Sequence, residues 1–158
     1  MTVQRAFPTI LSDRLTETRD FYVELLGFGV TYESDWFIGL STATGPAATS
    51  AFGPGEVPDS AQELGIWRVD HDLVPASHRA EPAGILLTFV VDDVDAVHAF
   101  ARRRRLPVVA PPRDLFFGRR QMLVCDPNGV LVDVSSPSAP SPTFRHELAR
   151  RGLVPDLP

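Results

Sequence analysis

The sequence predicts an α+β fold in which one structural unit occurs twice along the chain. The first copy spans residues 7–28 and the second spans residues 86–107, so the two begin 79 positions apart. Each copy has an apolar stretch typical of a strand, a short polar turn, and a run with apolar side chains at helical spacing. The shift of 79 positions aligns five pairs of residues: Thr9 with Thr88, Leu11 with Val90, Leu15 with Val94, Thr18 with Val97, and Phe21 with Phe100.

The first half is predicted to contain four strands and one helix. Residues 5–12 alternate imperfectly and predict a strand, in which Pro8 favours an edge position or an irregular start. Ser12 or Thr16 can cap the helix that follows. Gly27 ends this helix, because glycine readily adopts the left-handed conformation at a helix C-terminus. Three further short strands are predicted at residues 28–34, 36–41 and 49–52.

The second half repeats this order. Residues 84–91 predict a strand, and Asp92 or Asp93 caps a helix that runs to about residue 105. The turn Asp126-Pro127-Asn128-Gly129 predicts a hairpin, because Asn-Gly supplies the positive φ that tight turns need. The other predicted segments are a strand at 107–110, a loop at 111–117, and hairpin strands at 119–125 and 130–135.

Two βαβββ modules are expected to lie side by side and form a curved, mixed, eight-stranded sheet, a cup, with the helices outside. The segment between them contains four prolines and little periodicity, so it predicts a linker with one helical turn near residues 60–64. A linker of this length often covers a site. The predicted boundaries are module one at 5–52, the linker at 53–83, module two at 84–135, the whole domain at 1–135, and a tail at 136–158 whose residues 143–151 form a short helix.

Composition and charge argue against several classes of protein. The net charge of −5 and the pI of about 5.3 disfavour a nucleic-acid-binding protein, which normally has a basic face, and mildly favour cationic ligands. Apolar runs fall far below the ~20 residues of a membrane-spanning helix, and the N-terminus lacks the apolar core of a signal peptide. The single cysteine, Cys125, excludes an internal disulfide. A cytoplasmic protein is expected.

Three segments carry a resemblance to a known family. They are TRDFYVELLGF in the first half, and VDDVDAVHAFARRR and RDLFFGRRQMLVCDPNGVLVDV in the second. With these segments the chain resembles the vicinal oxygen chelate superfamily, which comprises glyoxalases, bleomycin-resistance proteins and extradiol dioxygenases. The resemblance covers about residues 5–135 and implies the same paired-module fold.

The resemblance also implies where a metal would bind. Members that use a metal have two ligand positions per module, one at the start of the first strand and one on the last strand. The first-strand positions here are Phe7 and Leu86, and the last strand of module two supplies Asp133. In module one the nearest candidates on the last strand are Thr49 and Ser50. Since divalent metals in enzymes typically need three suitable protein ligands, no metal or other cofactor is expected.

Histidines offer one alternative metal site. His71 and His78 lie in the predicted linker together with Asp70 and Asp72. A metal site there needs the chain to fold back on itself, which the sequence does not show. Solvent-exposed loop histidines are the favoured interpretation, and metal binding through His71 or His78 stays open.

Aromatic and basic residues are predicted to line the cup. Apolar walls with a few polar groups are typical of a site for a flat organic molecule, although Trp36, Trp67 and Phe117 can equally fill the core. Arg119 and Arg120 are neighbours on a strand, so one of them should point into the cup towards Asp133 or a ligand anion. The predicted ligand-binding residues are Phe7, Trp36, Phe52, Trp67, Leu86, Phe117, Arg119 and Arg120.

Two functions stay open at this point. The first is a metal-independent binding protein of the glyoxalase/bleomycin-resistance type, which sequesters an aromatic or antibiotic-like molecule in the cup. The resemblance implies that such a protein is a homodimer. The second is a lyase, isomerase or dioxygenase-type enzyme of the same fold, with Asp133 as general base or with a non-standard metal site. Neither function involves nucleic acid or a membrane.

Overall fold

The computed structural model describes residues 6–43 and 61–153, and the chain forms two compact units. The first unit comprises Met1–Ile85 together with Asp126–Val130, and the second comprises Leu86–Cys125 together with Leu131–Pro158. The short segment Asp126–Val130 therefore packs in the first unit, although it connects two strands of the second.

The first unit contains one helix and a mixed sheet. The elements are β1 (Thr9–Ser12), α1 (Leu15–Leu26), β2 (Gly29–Glu33), β3 (Phe37–Ser41), β4 (Glu63–Arg68) and a 3-10 turn at Ala76–His78. Helix α1 buries residues at helical spacing along one face, and it ends at Gly27, whose φ of 73° is left-handed as predicted. In the sheet the strand order is β1-β4-β3-β2, with β1 parallel to β4 and the other neighbours antiparallel.

The second unit repeats this arrangement. Its elements are β5 (Leu86–Val90), α2 (Val94–Arg103), β6 (Val108–Leu115), β7 (Arg119–Cys125), β8 (Leu131–Pro137) and α3 (Pro142–Arg150). The strand order is β5-β8-β7-β6, with β5 parallel to β8. Asp93 caps helix α2, because its side chain accepts a hydrogen bond from the backbone N–H of Ala96. Ser141 caps helix α3 in the same way through Phe144.

The predicted fold class is confirmed. Each unit has the order βαβββ, the fold is α+β, and a short C-terminal helix follows the second module. The eight strands lie in two mixed sheets of four strands each.

One boundary of the prediction is wrong. The segment 53–83, expected to be a linker, contains strand β4, and Glu63–Arg68 is a strand where a helical turn was expected near residues 60–64. Leu64 and Ile66 are buried on one side of this strand, and Gly65 hid the alternation because it has no side chain to mark the other side. The strand predicted at 49–52 lies outside the described residues.

Strand β6 is also longer than predicted. It continues from Val108 to Leu115 through Pro111 and Pro112, which were expected to lie in a loop. Proline is tolerated there because β6 is an edge strand and its pairing with β7 is interrupted by two register shifts.

Candidate functional site

The two faces of the second sheet differ sharply in character. One face is completely buried and forms part of the core, with the side chains of Met122, Val124, Val132 and Val134. The alternate residues of the same strands point to the opposite face. We call this opposite face the Asp133 face, and its central residues are Thr88, Arg119, Gln121, Asp133 and Ser135.

Asp133 is buried on this face and is only partly hydrogen-bonded. The side chain is 7% exposed. Its Oδ2 accepts a hydrogen bond from Gln121 Nε2 at 2.8 Å and a longer one from Thr88 Oγ1 at 3.4 Å. Its Oδ1 is buried, and no described residue donates to it. Buried polar atoms are almost always satisfied, so an unpartnered carboxylate oxygen indicates a position for an additional donor.

The neighbouring arginines point to opposite faces, as their adjacency on β7 predicts. Arg119 lies on the Asp133 face, where its Nη1 donates to Ser135 Oγ at 3.1 Å. Arg120 lies on the helix side and holds both oxygens of Asp95 at 2.7 and 2.9 Å, with a further bond to Asp114 at 3.3 Å. Of these two neighbouring arginines, Arg119 is therefore the one available to a ligand beside Asp133.

Exposed apolar side chains lie beside these polar groups on strand β5 and in the turn that precedes β7. Leu86 and Val90 flank Thr88 on β5 and are 50% and 56% exposed. Phe117, in the turn between β6 and β7, is 41% exposed and packs edge-on against Phe116 with ring centroids 5.2 Å apart. Exposed apolar area around a few polar groups is typical of a small-molecule site.

The corresponding face of the first sheet is filled by an aromatic ring. Phe37 is 1% exposed, and its ring lies over Gly39 and Gly65 on the neighbouring positions of β3 and β4. A Cβ atom built on Gly65 would meet that ring at 3.1 Å and Thr9 Oγ1 at 2.7 Å. The two glycines therefore provide the space that Phe37 occupies.

The tryptophans predicted to line the cup pack on each other in the first unit. The rings of Trp36 and Trp67 have centroids 5.4 Å apart, and Trp67 meets Phe37 edge-on at 5.8 Å. His71 stacks on Trp36 at 4.9 Å. His71 lies in a loop, as expected, but it is half-buried, whereas His78 is exposed.

Among the remaining predicted residues of the first module, Phe7 is described. Phe7 is half-buried just before β1. Phe52 lies outside the described residues, as do Thr49 and Ser50.

The strand registers identify the fourth metal-ligand position of the family pattern. In the second unit Asp133 pairs with Thr88, and in the first unit Gly65 pairs with Thr9. Because Thr9 and Thr88 correspond in the repeat, Gly65 takes the place of Asp133 in the first module.

The residues present do not fit a metal of the family type. The four positions hold Phe7, Gly65, Leu86 and Asp133, so one side chain of the four can ligate a metal. Over residues 6–43 and 61–153, no three side chains of the types His, Cys, Asp and Glu lie close enough together to hold a metal ion.

Sequence reasoning missed three polar residues of the Asp133 face. Thr88, Gln121 and Ser135 carry the hydrogen bonds around Asp133 and Arg119. Alternation along β7 and β8 could have placed Gln121 and Ser135 on this face. Their partners could not be inferred, because the pairing of strands is not a local property of the sequence.

In the described part of the chain every helix is too short or too polar to span a bilayer. No curated protein matched in a sequence search. A family model described as the glyoxalase/bleomycin resistance protein/dioxygenase superfamily matches residues 6–134.

Solved structures show the same fold at low sequence identity. A glyoxalase/bleomycin resistance protein/dioxygenase from Nocardioides is 19% identical, with a TM-score of 0.60, and the match covers 89% of this chain and 90% of that one. A family enzyme from Burkholderia phytofirmans is 18% identical, with a TM-score of 0.62 and coverage of 82% and 94%. A virulence protein from Salmonella typhimurium is 20% identical, with a TM-score of 0.60 and coverage of 87% and 99%. The chain belongs to the glyoxalase/bleomycin resistance protein/dioxygenase superfamily.

Proposed function

We propose that this protein binds a small organic molecule on the Asp133 face and does so without the metal that many members of its superfamily use. The observation that supports this most directly is the buried Oδ1 of Asp133, which has no hydrogen-bond donor among the described residues. A ligand N–H or O–H would supply the missing donor.

A ligand donor at Oδ1 would relieve the free-energy cost of the unpartnered oxygen. An unsatisfied buried polar atom costs on the order of 1–3 kcal/mol, and more when the group is charged. Thr88 and Gln121 hold Oδ2, so the carboxylate is oriented and Oδ1 is left with free lone pairs. A donor placed against Oδ1 would therefore gain a charge-assisted hydrogen bond without first having to orient the carboxylate.

Metal independence rests on the chemistry of the family positions. Phe7, Gly65 and Leu86 carry no donor atom in their side chains, and the closeness of Thr9 to Gly65 leaves no room for a longer residue without rearrangement. The position that is packed by Thr9 and Phe37 in the first module, at Gly65, carries a hydrogen-bonding carboxylate in the second, at Asp133.

The binding function is tested by substitution of Asp133. Asp133→Asn should weaken binding of amine-bearing aromatic compounds at least tenfold in isothermal titration calorimetry, while the thermal unfolding temperature without ligand changes little. Asp92→Asn is the matched control, since Asp92 is exposed and outside the face. Failure of a broad panel of small organic molecules to bind the unmodified protein would refute the proposal.

A second candidate is an enzyme that uses Asp133 as general base. The same unpartnered Oδ1 supports it, because its lone pairs are free to accept a substrate proton. The two functions differ in what Asp133→Asn changes: a base loses turnover and keeps much of its binding, whereas an anchor loses binding. Metal analysis of the purified protein tests metal independence separately. A stoichiometric metal that is needed for turnover would contradict the metal-free proposal.

A further inference from the structure

We propose that the ligand of the Asp133 face is an amino-substituted aromatic carboxylate, with its amine on Asp133 and its carboxylate on Arg119. This inference rests on the proposed binding function and adds the chemical class of the ligand. It is carried by two opposite charges on one sheet face that do not neutralise each other.

The charge of this face differs from that of the whole protein. Its strand residues include Arg113, which pairs with Gln121, and Arg119, against the single carboxylate of Asp133. The strand residues of this face therefore carry one more positive than negative charge, although the chain carries a net charge of −5. A simple cation, which the overall charge would favour, does not suit two guanidinium groups.

Asp133 and Arg119 do not pair with each other. Each forms hydrogen bonds to uncharged side chains. Asp133 accepts from Gln121 and Thr88, and Arg119 donates to Ser135. No ion pair joins Asp133 to an arginine in the described part of the chain. A ligand that carries both a donor and an anion would complement both groups at once.

Arg119 is suited to the anionic end of such a ligand. Its guanidinium has five N–H donors, and Nη1 to Ser135 is the hydrogen bond its side chain makes to a described residue. Ser135 is completely buried and fixes the position of the guanidinium. The planar fork that remains matches a carboxylate in a bidentate arrangement.

The spacing of the two recognition points sets the size of the ligand. Ser135 follows Asp133 by two residues along β8, so their Cα atoms lie about 7 Å apart. Ser135 Oγ holds Arg119 Nη1 at 3.1 Å, so the guanidinium lies at the Ser135 end of this span. The substituents at opposite ends of a benzene ring have a comparable separation. Leu86 and Val90, half-exposed on either side of Thr88, offer apolar contact for the ring.

Three probes of one scaffold test this inference: 4-aminobenzoate, benzoate without the amine, and aniline without the carboxylate. Each would be titrated into the purified full chain, with dissociation constants measured by ligand-observed NMR and calorimetry. We expect 4-aminobenzoate to bind at least tenfold more tightly than benzoate and than aniline, because it alone reaches both charged groups.

Two variants assign the ends of the ligand. In Asp133→Asn, Gln121 and Thr88 still need an acceptor, so the new amide NH₂ takes the place of Oδ1 and faces the ligand amine as a second donor. This variant should bind 4-aminobenzoate no better than benzoate and leave benzoate binding unchanged. Arg119→Gln should reduce 4-aminobenzoate to the affinity of aniline. Arg102→Gln, at an exposed position on α2, is the control.

The outcomes separate this inference from the function on which it rests. If aromatic amines bind through Asp133 but the carboxylate adds no affinity and Arg119→Gln has no effect, the ligand class is wrong and the binding function stands. Equal affinity of all three probes also overturns the ligand class. If neither these probes nor a broad panel bind, both proposals fail.

Discussion

Gly65 and Asp133 occupy the same position in the two copies of the repeat, opposite Thr9 and Thr88. At the first position the missing side chain lets the ring of Phe37 cover the sheet. At the second position a carboxylate is buried with one oxygen unpartnered. The two copies share the same strand order but differ in the side chains on this face. In the first copy an aromatic ring packs there, and in the second the face carries hydrogen-bonding groups.

Gly65→Ala tests this packing. The new Cβ would lie 2.7 Å from Thr9 Oγ1 and 3.1 Å from the Phe37 ring, and the ring is 1% exposed and has little room to move. We expect the free energy of unfolding in urea to fall by about 1–3 kcal/mol, as for other overpacked cores.

Gly29→Ala is the matched control in the same sheet. A Cβ on Gly29 would meet one atom, the backbone oxygen of Ser41, at an ordinary distance of 3.6 Å. Its effect on unfolding should stay within about 0.5 kcal/mol. Equal losses for the two variants would contradict the role given to Gly65.

At the scale of elements, Arg120 ties helix α2 to strand β7. Its guanidinium holds both carboxylate oxygens of Asp95 in the first turn of α2, and it also reaches Asp114 on β6. The hydrogen bond from Arg120 lowers the pKa of the Asp95 carboxyl, and the charge of Arg120 acts in the same direction. Because the Arg120 side chain lies on the helix side of the sheet, we assign Arg120 no part in ligand binding.

Arg120→Gln should raise the pKa of Asp95 towards its ordinary value, measured by following the Asp95 carboxyl in an NMR titration. The lowered pKa also makes the folding stability depend on pH. A carboxyl whose folded pKa is lowered contributes stability above its unfolded pKa, and this contribution is lost as pH falls through the folded pKa. The variant should therefore show a weaker loss of stability at acid pH than the unmodified protein. Arg102→Gln should leave the Asp95 titration unchanged, and a shift of equal size there would contradict the assignment.

At the scale of the whole molecule, the turn between β7 and β8 belongs to the first compact unit. Asn128 accepts from Ser12 Oγ at 2.6 Å and donates to Thr18 Oγ1 at 2.9 Å. Asp126 accepts from the Tyr22 hydroxyl at 3.2 Å. The Asp-Pro-Asn-Gly turn, which local sequence explains as a hairpin, thus also anchors a buried polar network with α1.

Tyr22 makes this network sensitive to alkaline pH. Burial raises the pKa of Tyr22 above its ordinary value of 10.0, and the nearby charge of Asp126 raises it further. Above about pH 10 the unfolded chain releases the phenol proton while the folded state retains it, so this stability is complete below about pH 10 and declines as pH rises.

Tyr22→Phe should reduce the decline of the unfolding free energy between about pH 9 and pH 11, measured by urea denaturation. At neutral pH the variant should be less stable by about 1 kcal/mol, because the bond to Asp126 is lost. The difference should narrow as pH rises. Tyr32→Phe, at an exposed tyrosine, is the matched control. A constant difference across the pH range would contradict the account.

Much of the fold follows from local patterns in the sequence. The helical spacing around Phe21, the cap Asp93 and the left-handed Gly27 and Gly129 were all predicted and all occur. Strand β4 was missed, because Gly65 interrupts its alternation and its neighbours along the chain resemble a linker. Local sequence patterns identify elements whose hydrogen bonds and contacts form between residues close in sequence. Strand β4 is instead stabilised by pairing with β1 and β3, which are distant in sequence.

The sequence by itself determined the paired modules, the superfamily and the lack of metal ligands at Phe7 and Leu86. Tertiary structure decided that Gly65 is the counterpart of Asp133, that Arg119 and not Arg120 shares its face, and that Asp133 keeps one oxygen without a donor. The physical reason is that strand and helix propensities act over a few residues. Register, burial and hydrogen-bond satisfaction depend on which strands pair, and only the folded chain brings those strands together.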